Sequence, residues 1–161
     1  MNLDMRATTL PSRKGPRPET HKGMPHAQVE VRPVPEIHAE LFRRAFALPG
    51  VQERPTIISV PGARALWLLD DIPLAHPEAI VAGREFAHIH PDGSLHVSLP
   101  PARAQEAIDA GWAEPHPLAA QLGRPELVML YTPRDPHELD VTFQLIVDSY
   151  DYVTGASDRR N

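Results

Sequence analysis

Residues 84–99 read REFAHIHPDGSLHVSL. Two runs of alternating polar and apolar residues flank Pro91-Asp92-Gly93, which is the pattern of a β-hairpin. A three-residue loop commonly joins a type I turn to a residue in the left-handed region, and Gly93 suits that last position. With this loop His90 lies opposite Ser94 and His88 opposite His96. Side chains alternate faces along a strand. His88, His90 and His96 therefore share one face, while Ile89, Leu95, Val97 and Leu99 take the other and fill a core. A two-residue Asp92-Gly93 loop would move His96 in among the apolar side chains, because a one-residue slip reverses every side chain. Glu85 is the awkward member. By the same parity it points into the core unless the strand begins after it.

Working outward, the hairpin strands are expected over 81–90 and 94–99. Upstream, Thr56–Val60 and Ala65–Leu69 read as two short strands joined at the Pro61-Gly62 turn. Residues 79–82 are a third short strand or the lead-in to the hairpin. Before them Ile37, Leu41, Ala45 and Leu48 recur at helical spacing, so a helix is expected from Pro35 or Glu36 to Leu48, stopped at Gly50. Downstream, Pro100 and Pro101 open a helix through Ala110, with Gly111 as its stop. Trp112 and His116 then fall in a loop, and Leu127–Thr132 forms a strand. In the last helix Asp135 caps, Pro136 takes the first position and Glu138 completes a capping box. Leu139, Phe143, Ile146, Val147, Tyr150 and Val153 make its apolar stripe. Hairpin links imply an antiparallel sheet with about three helices packed on one face, an α+β architecture.

The organisation is an extended segment over 1–34, a single domain over 35–155 and a tail over 156–161. By composition alone the first segment is a free tail, since it is rich in proline, arginine and glycine and poor in periodic apolar residues. The 161 residues otherwise hold 42% apolar and 23% charged residues, enough for a core. A net charge of −5 argues against nucleic acid as a partner. No apolar run reaches the roughly 20 residues that span a bilayer, so no membrane association is expected. The cysteine count of 0 removes disulfides, thiolate catalysis and thiolate metal sites. The cytoplasm is the expected compartment.

Three histidines on one sheet face have two chemical uses. Neutral imidazoles ligate a divalent metal, with His88, His90 and His96 as the set. Alternatively they act as general bases near neutral pH. A solvated polar face is the bland alternative. GWAEPHPL, residues 111–118, adds Trp112 as a flat wall and His116 held between prolines. Arg134 could pair with an anion, although a plain surface arginine fits as well.

Several of these pieces occur together in one order: REFAHIH, LH, GW, HPLA and LYTPR. They fall on Arg84, Glu85, Ala87, His88, His90, Leu95, His96, Gly111, Trp112, His116, Pro117, Leu118, Tyr131, Pro133 and Arg134. In that order they resemble the luciferase-domain family, which includes fungal luciferases. LPSRKGPRP, residues 10–18, is similar to a stretch of the same family and places Arg13 and Arg17 within the fold. The first segment is then expected to pack on the domain.

The resemblance implies an oxygenase that needs no cofactor beyond O₂, with a divalent metal as the alternative. The implied substrate is 3-hydroxyhispidin or a similar enolised pyranone or phenol. It would be oxidised through a peroxide, and light emission is not part of the expectation. On this view His88, His90, His96 and His116 handle protons, with Glu85 beside them. Trp112 and Tyr131 are walls, while Arg84, Arg134, Arg13 and Arg17 bind the substrate anion. A ligand-binding protein without turnover, and a metal-dependent enzyme built on the His88, His90 and His96 face, are the alternatives.

Overall fold

The computed structural model describes residues 9–156. Positions 1–8 of the expected N-terminal segment, and all but Ala156 of the expected tail, lie outside the described residues. The architecture is α+β. Strands β1 (Thr20–His21) and β2 (Ala27–Gln28) form a small hairpin, followed by helix α1 (Pro35–Phe46). Then come β3 (Val51–Pro55), β4 (Arg64–Leu68), β5 (Glu85–Ile89) and β6 (Leu95–Ser98). Helix α2 (Pro101–Asp109), β7 (Ala113–Pro115), the short α3 (Ala119–Leu122), β8 (Leu127–Leu130) and α4 (Pro136–Thr154) complete the order. Strands β3 to β8 form a six-stranded sheet, β3-β4-β5-β6-β8-β7, with every neighbouring pair antiparallel. No helix among the described residues is long and apolar enough to cross a membrane.

Helix α4 lies across the middle of the sheet. Its Leu139, Leu145, Ile146, Tyr150 and Val153 join Ile89, Leu95 and Val97 in one buried cluster. Asp135 caps it, accepting from the Glu138 N–H at 2.8 Å. The reciprocal half of the expected capping box is replaced, because the Glu138 carboxylate takes the N–H and guanidinium of Arg134. Phe143 is only half-buried, with the Arg44 guanidinium 5.9 Å from its ring centre. The buried stripe runs instead through Val141 and Leu145.

Two expectations for the upstream strands need correction. Thr56–Val60 is a loop, and the first strand ends before it at Pro55. Thr56 Oγ1 accepts from the N–H groups of Ile58 and Ser59, a local turn that competes with strand pairing. The strand or lead-in expected over 79–82 is not one: residues 77–79 form a 3₁₀ turn, Ala82 makes only an isolated bridge to Glu85, and the hairpin strand expected from 81 begins at Glu85. In the second half of the chain, the expected loop after Gly111 contains the edge strand β7.

Candidate active site

The central hairpin sets the site. His90 N–H donates to Ser94 O at 2.8 Å, and Ala87 pairs with Val97, His88 with His96 and Ile89 with Leu95. The loop thus has three residues. Gly93 closes it at φ +91°, where a Cβ would come within 2.8 Å of Thr132 Cγ2. Asp92 Oδ1 holds the turn from inside, accepting from the Ser94 N–H at 2.8 Å and the Ser94 hydroxyl at 2.6 Å. His88, His90 and His96 stand together on the face opposite α4, at 6%, 5% and 6% exposure.

Glu85 joins them through a break in parity. The β4–β5 register slips between Leu66 and Trp67, so Trp67 pairs with Glu85 and Phe86 is left as the extra residue. A bulge of this kind re-aims the side chains before it. Glu85 is buried beside the histidines, its Oε2 3.0 Å from His88 Nδ1. Its carboxylate also accepts from the Thr56 hydroxyl at 2.8 Å and the Ile57 N–H at 2.9 Å.

A residue that sequence patterns do not mark completes the group. His26 comes from the loop end of the β1–β2 hairpin. Its Nδ1 is 2.9 Å from His96 Nε2, and its Nε2 is 2.7 Å from Glu114 Oε2. His96 Nδ1 is 3.0 Å from His88 Nε2. The side chains therefore form one line: Glu85, His88, His96, His26, Glu114. Glu114 is further held by Thr20, Lys22 and the Tyr131 hydroxyl. His90 stands beside the line and has its own support, with Nδ1 2.8 Å from Ser94 Oγ.

Electrostatics fix the charge states. Burial raises the Glu114 carboxyl, but hydrogen bonds from His26, Lys22, Thr20 and Tyr131 outweigh it and bring it to about 2. Burial likewise opposes ionisation of Glu85, but hydrogen bonds from His88, the Ile57 N–H and Thr56 hold it below the usual carboxylate range. His90 is lowered to about 4, first by burial and then by His88. His96 is pushed well below its ordinary value by burial and by the neighbouring imidazoles. Both carboxylates are thus ionised at pH 7 while His90 and His96 are neutral.

The N-terminal segment covers this face. Gln28 Nε2 donates to Thr132 Oγ1 at 2.7 Å, and the Thr132 N–H donates to Gln28 Oε1 at 3.0 Å. Beside the cover opens a cavity of about 520 Å³. His26, His88, His96 and His116 line it together with Met24, Ile58, Val60, Val81, Leu118 and Leu127, among others. His116 Nδ1 accepts from the Leu118 N–H at 3.1 Å, so its neutral ring carries the proton on Nε2 and is a donor. A candidate group of metal ligands is also present. One ring nitrogen from each of His88, His90 and His96 lies within 4.8 Å of the other two.

The remaining residues singled out in the sequence do other work. Arg84 donates to the carbonyls of Leu68, Leu69 and Ile72, bracing the loop after β4. Arg134 is engaged by Glu138 and Lys14 O. Arg17 donates to the carbonyls of Ala113 and Ile108, and Arg13 lies over the Tyr131 ring with 5.3 Å from its Cζ to the ring centre. Trp112 is buried and donates from Nε1 to Pro11 O at 2.6 Å. None of these four arginines lines the cavity, nor does Trp112 or Tyr131. The expected aromatic walls are aliphatic, and the expected anion-binding arginines pin the N-terminal segment, the β4 loop and the start of α4. Tyr131 acts on the site from behind, through Glu114.

Residues 83–149, which carry the hairpin and Glu114, match the family model described as Luciferase domain. The luciferases of Armillaria gallica and Armillaria mellea are each 32% identical to this chain over 164 positions, covering 90% of it. By these matches the chain is similar to the luciferase-domain family. It spans 61% of the length of these luciferases. The luciferase of Armillaria ostoyae matches to the same extent, 32% identical over 90% of the chain. No solved structure matches.

Proposed function

We propose that this protein is an oxygenase of small enolic or phenolic molecules. One observation carries the reading: the cavity is apolar on its walls and ends on the imidazoles of His88, His96 and His116. A flat organic molecule carrying one ionisable hydroxyl fits that division. The cavity volume of about 520 Å³ lies within the range of ligand sites for such compounds.

The chemistry follows from the hydrogen count. Ionised Glu85 and Glu114 each take an imidazole N–H, from His88 and His26. The other two gaps of the line, His88 to His96 and His96 to His26, need one hydrogen each. Neutral His96 carries a single N–H hydrogen between these two gaps. Its other ring nitrogen is a lone pair, and the line accepts a proton there. An enol or phenol bound in the cavity loses its hydroxyl proton to this line, and the resulting anion accepts a hydrogen bond from His116 Nε2–H. The electron-rich carbon then bonds to O₂, which is reduced to the peroxide level as the carbon is oxidised. The apolar walls exclude water, which protects the anion and the peroxide.

The test is to incubate the chain with O₂ and a panel of hydroxylated 2-pyranones and catechols, 3-hydroxyhispidin included. O₂ uptake and substrate absorbance are followed together. Stoichiometric consumption, reduced at least a hundredfold in His96→Ala, is expected. Absence of O₂ uptake across the panel, with tight binding of one member, would replace the oxygenase reading with a binding protein.

A further inference from the structure

We propose that His88 Nε2, His90 Nε2 and His96 Nδ1 form a binding site for one divalent first-row transition-metal ion. The inference stands on the arrangement of the side chains and does not depend on the reaction proposed above.

The first observation is convergence. His88 Nε2 and His96 Nδ1 are 3.0 Å apart. Metal–nitrogen bonds of about 2.0–2.1 Å place neighbouring ligand atoms roughly 3 Å apart, so this spacing is also an edge of a coordination polyhedron. His90 contributes the third nitrogen, all within 4.8 Å of one another. The longest separation closes when the ion binds.

The second observation is independent of the first and concerns the outer nitrogens. A ligating histidine usually gives its other ring N–H to a fixed acceptor, which sets the tautomer and the ring orientation. Each of the three has such a partner. His88 Nδ1 faces Glu85 Oε2 at 3.0 Å. His90 Nδ1 faces Ser94 Oγ at 2.8 Å, and the Ser94 hydroxyl proton is already given to Asp92. His96 Nε2 faces His26 Nδ1 at 2.9 Å, and His26 is turned by Glu114 at 2.7 Å. These partners allow the hydrogens to run outward at every step: His88 to Glu85, His90 to Ser94 to Asp92, His96 to His26 to Glu114. With the hydrogens placed this way, each outer gap holds one and the three inner nitrogens are left as lone pairs. Two of these lone pairs face each other at 3.0 Å. A cation between them resolves that contact.

The third observation is charge. The cavity is lined by histidines, Ser59 and apolar residues, and none of its lining residues is a lysine or arginine. A bound oxyanion meets no fixed cation on these walls. A metal ion on His88, His90 and His96 supplies one at the cavity's end, with coordination positions left open. Three imidazoles without thiolate suit zinc, iron, copper or nickel.

The experiment uses the full chain without a histidine tag, stripped with chelator and titrated with Co²⁺ and then Zn²⁺. Expected is one Co²⁺ per chain, with visible absorption bands that Zn²⁺ bleaches by displacement. His90→Ala weakens binding at least a hundredfold. Ser94→Ala keeps all three ligands, removes only the acceptor behind His90 and weakens binding roughly 10- to 100-fold. It tests the same claim should His90→Ala not fold. Glu114→Gln weakens binding through His26 and His96. Sub-stoichiometric or millimolar Co²⁺ binding overturns the proposal, as does tight binding that neither His90→Ala nor Ser94→Ala changes. Oxidation of substrate is not part of the readout, so failure of the oxygenase reading and failure of the metal site are distinguished.

Discussion

At the scale of single residues, the site depends on side chains whose partners fix their charge. Glu114 is the clearest case. In the unfolded chain its carboxyl titrates near the ordinary 4.5, and in the fold at about 2. Between those values unfolding takes up a proton, so acid favours the unfolded chain. The stabilisation is fully present above about pH 4.5 and is lost as pH falls toward 2. It is worth on the order of 3 kcal/mol. Glu114→Gln is therefore expected to flatten the pH dependence of urea stability in that window and to lower stability at pH 7. Gly93 tests the hairpin directly. An alanine there needs φ +91° and puts Cβ 2.8 Å from Thr132 Cγ2 and 3.3 Å from Pro33 Cβ. Gly93→Ala should cost about 2 kcal/mol in denaturant unfolding. A loss below about 0.5 kcal/mol would mean that the loop adopts another geometry.

The histidine face was legible because strand parity is strict and loop length fixes it. His26 was not legible, since it reaches His96 across 70 residues of sequence from a segment without periodicity. Nothing local announces such a contact. The turn-forming Lys22-Gly23-Met24-Pro25 run between short extended pieces is the one signal that a hairpin stands there. The arginines misled for a different reason. Arg84 and Arg134 belong to the motif that marks the family, yet their partners are backbone carbonyls and Glu138. A motif residue can serve the chain trace as readily as the substrate.

At the scale of elements, the sheet separates two tasks. One face packs on α4 through period-2 apolar residues, which the sequence displays openly. The other is covered by a segment whose own composition suggested disorder. That segment is ordered by donors and acceptors rather than by a core. Arg17 donates to the carbonyls of Ala113 and Ile108, and the Arg13 N–H donates to Ala110 O at 2.8 Å. Loss of one such anchor costs about 1 kcal/mol globally. Locally the effect is larger. Arg17→Ala is expected to speed amide hydrogen exchange at 20–28 at least tenfold while α4 amides remain protected. Equal acceleration in both would show that the cover and the core unfold as one unit. The Thr56–Val60 loop follows similar rules. Its β-branched residues favour a strand, but Thr56 turns the backbone back and Glu85 captures the hydroxyl and the Ile57 N–H. Ionic and polar partners on a distant strand overrode local propensity.

At the scale of the whole molecule, stability and ligand capacity sit on opposite sides of one sheet. The buried cluster joins α1, α2 and α4 to the sheet, and neither Ile58 nor Leu122 belongs to it. Both line the cavity and are 37% and 50% exposed. Their apolar surface is left open at the mouth where a ligand would cover it. A double substitution, Ile58→Trp with Leu122→Trp, fills the mouth from the solvent side without entering the core or touching the histidines. Surface changes of this sort usually alter stability by no more than about 0.5 kcal/mol. Binding of a fluorescent hydroxypyranone should weaken at least tenfold, with the thermal midpoint within a few degrees of the parent chain. Co²⁺ binding should be unaffected, because the three imidazoles and their outer partners are unchanged. That combination separates entry from the histidine centre. Unaltered pyranone affinity in the filled variant would place the ligand elsewhere and remove the cavity from the mechanism.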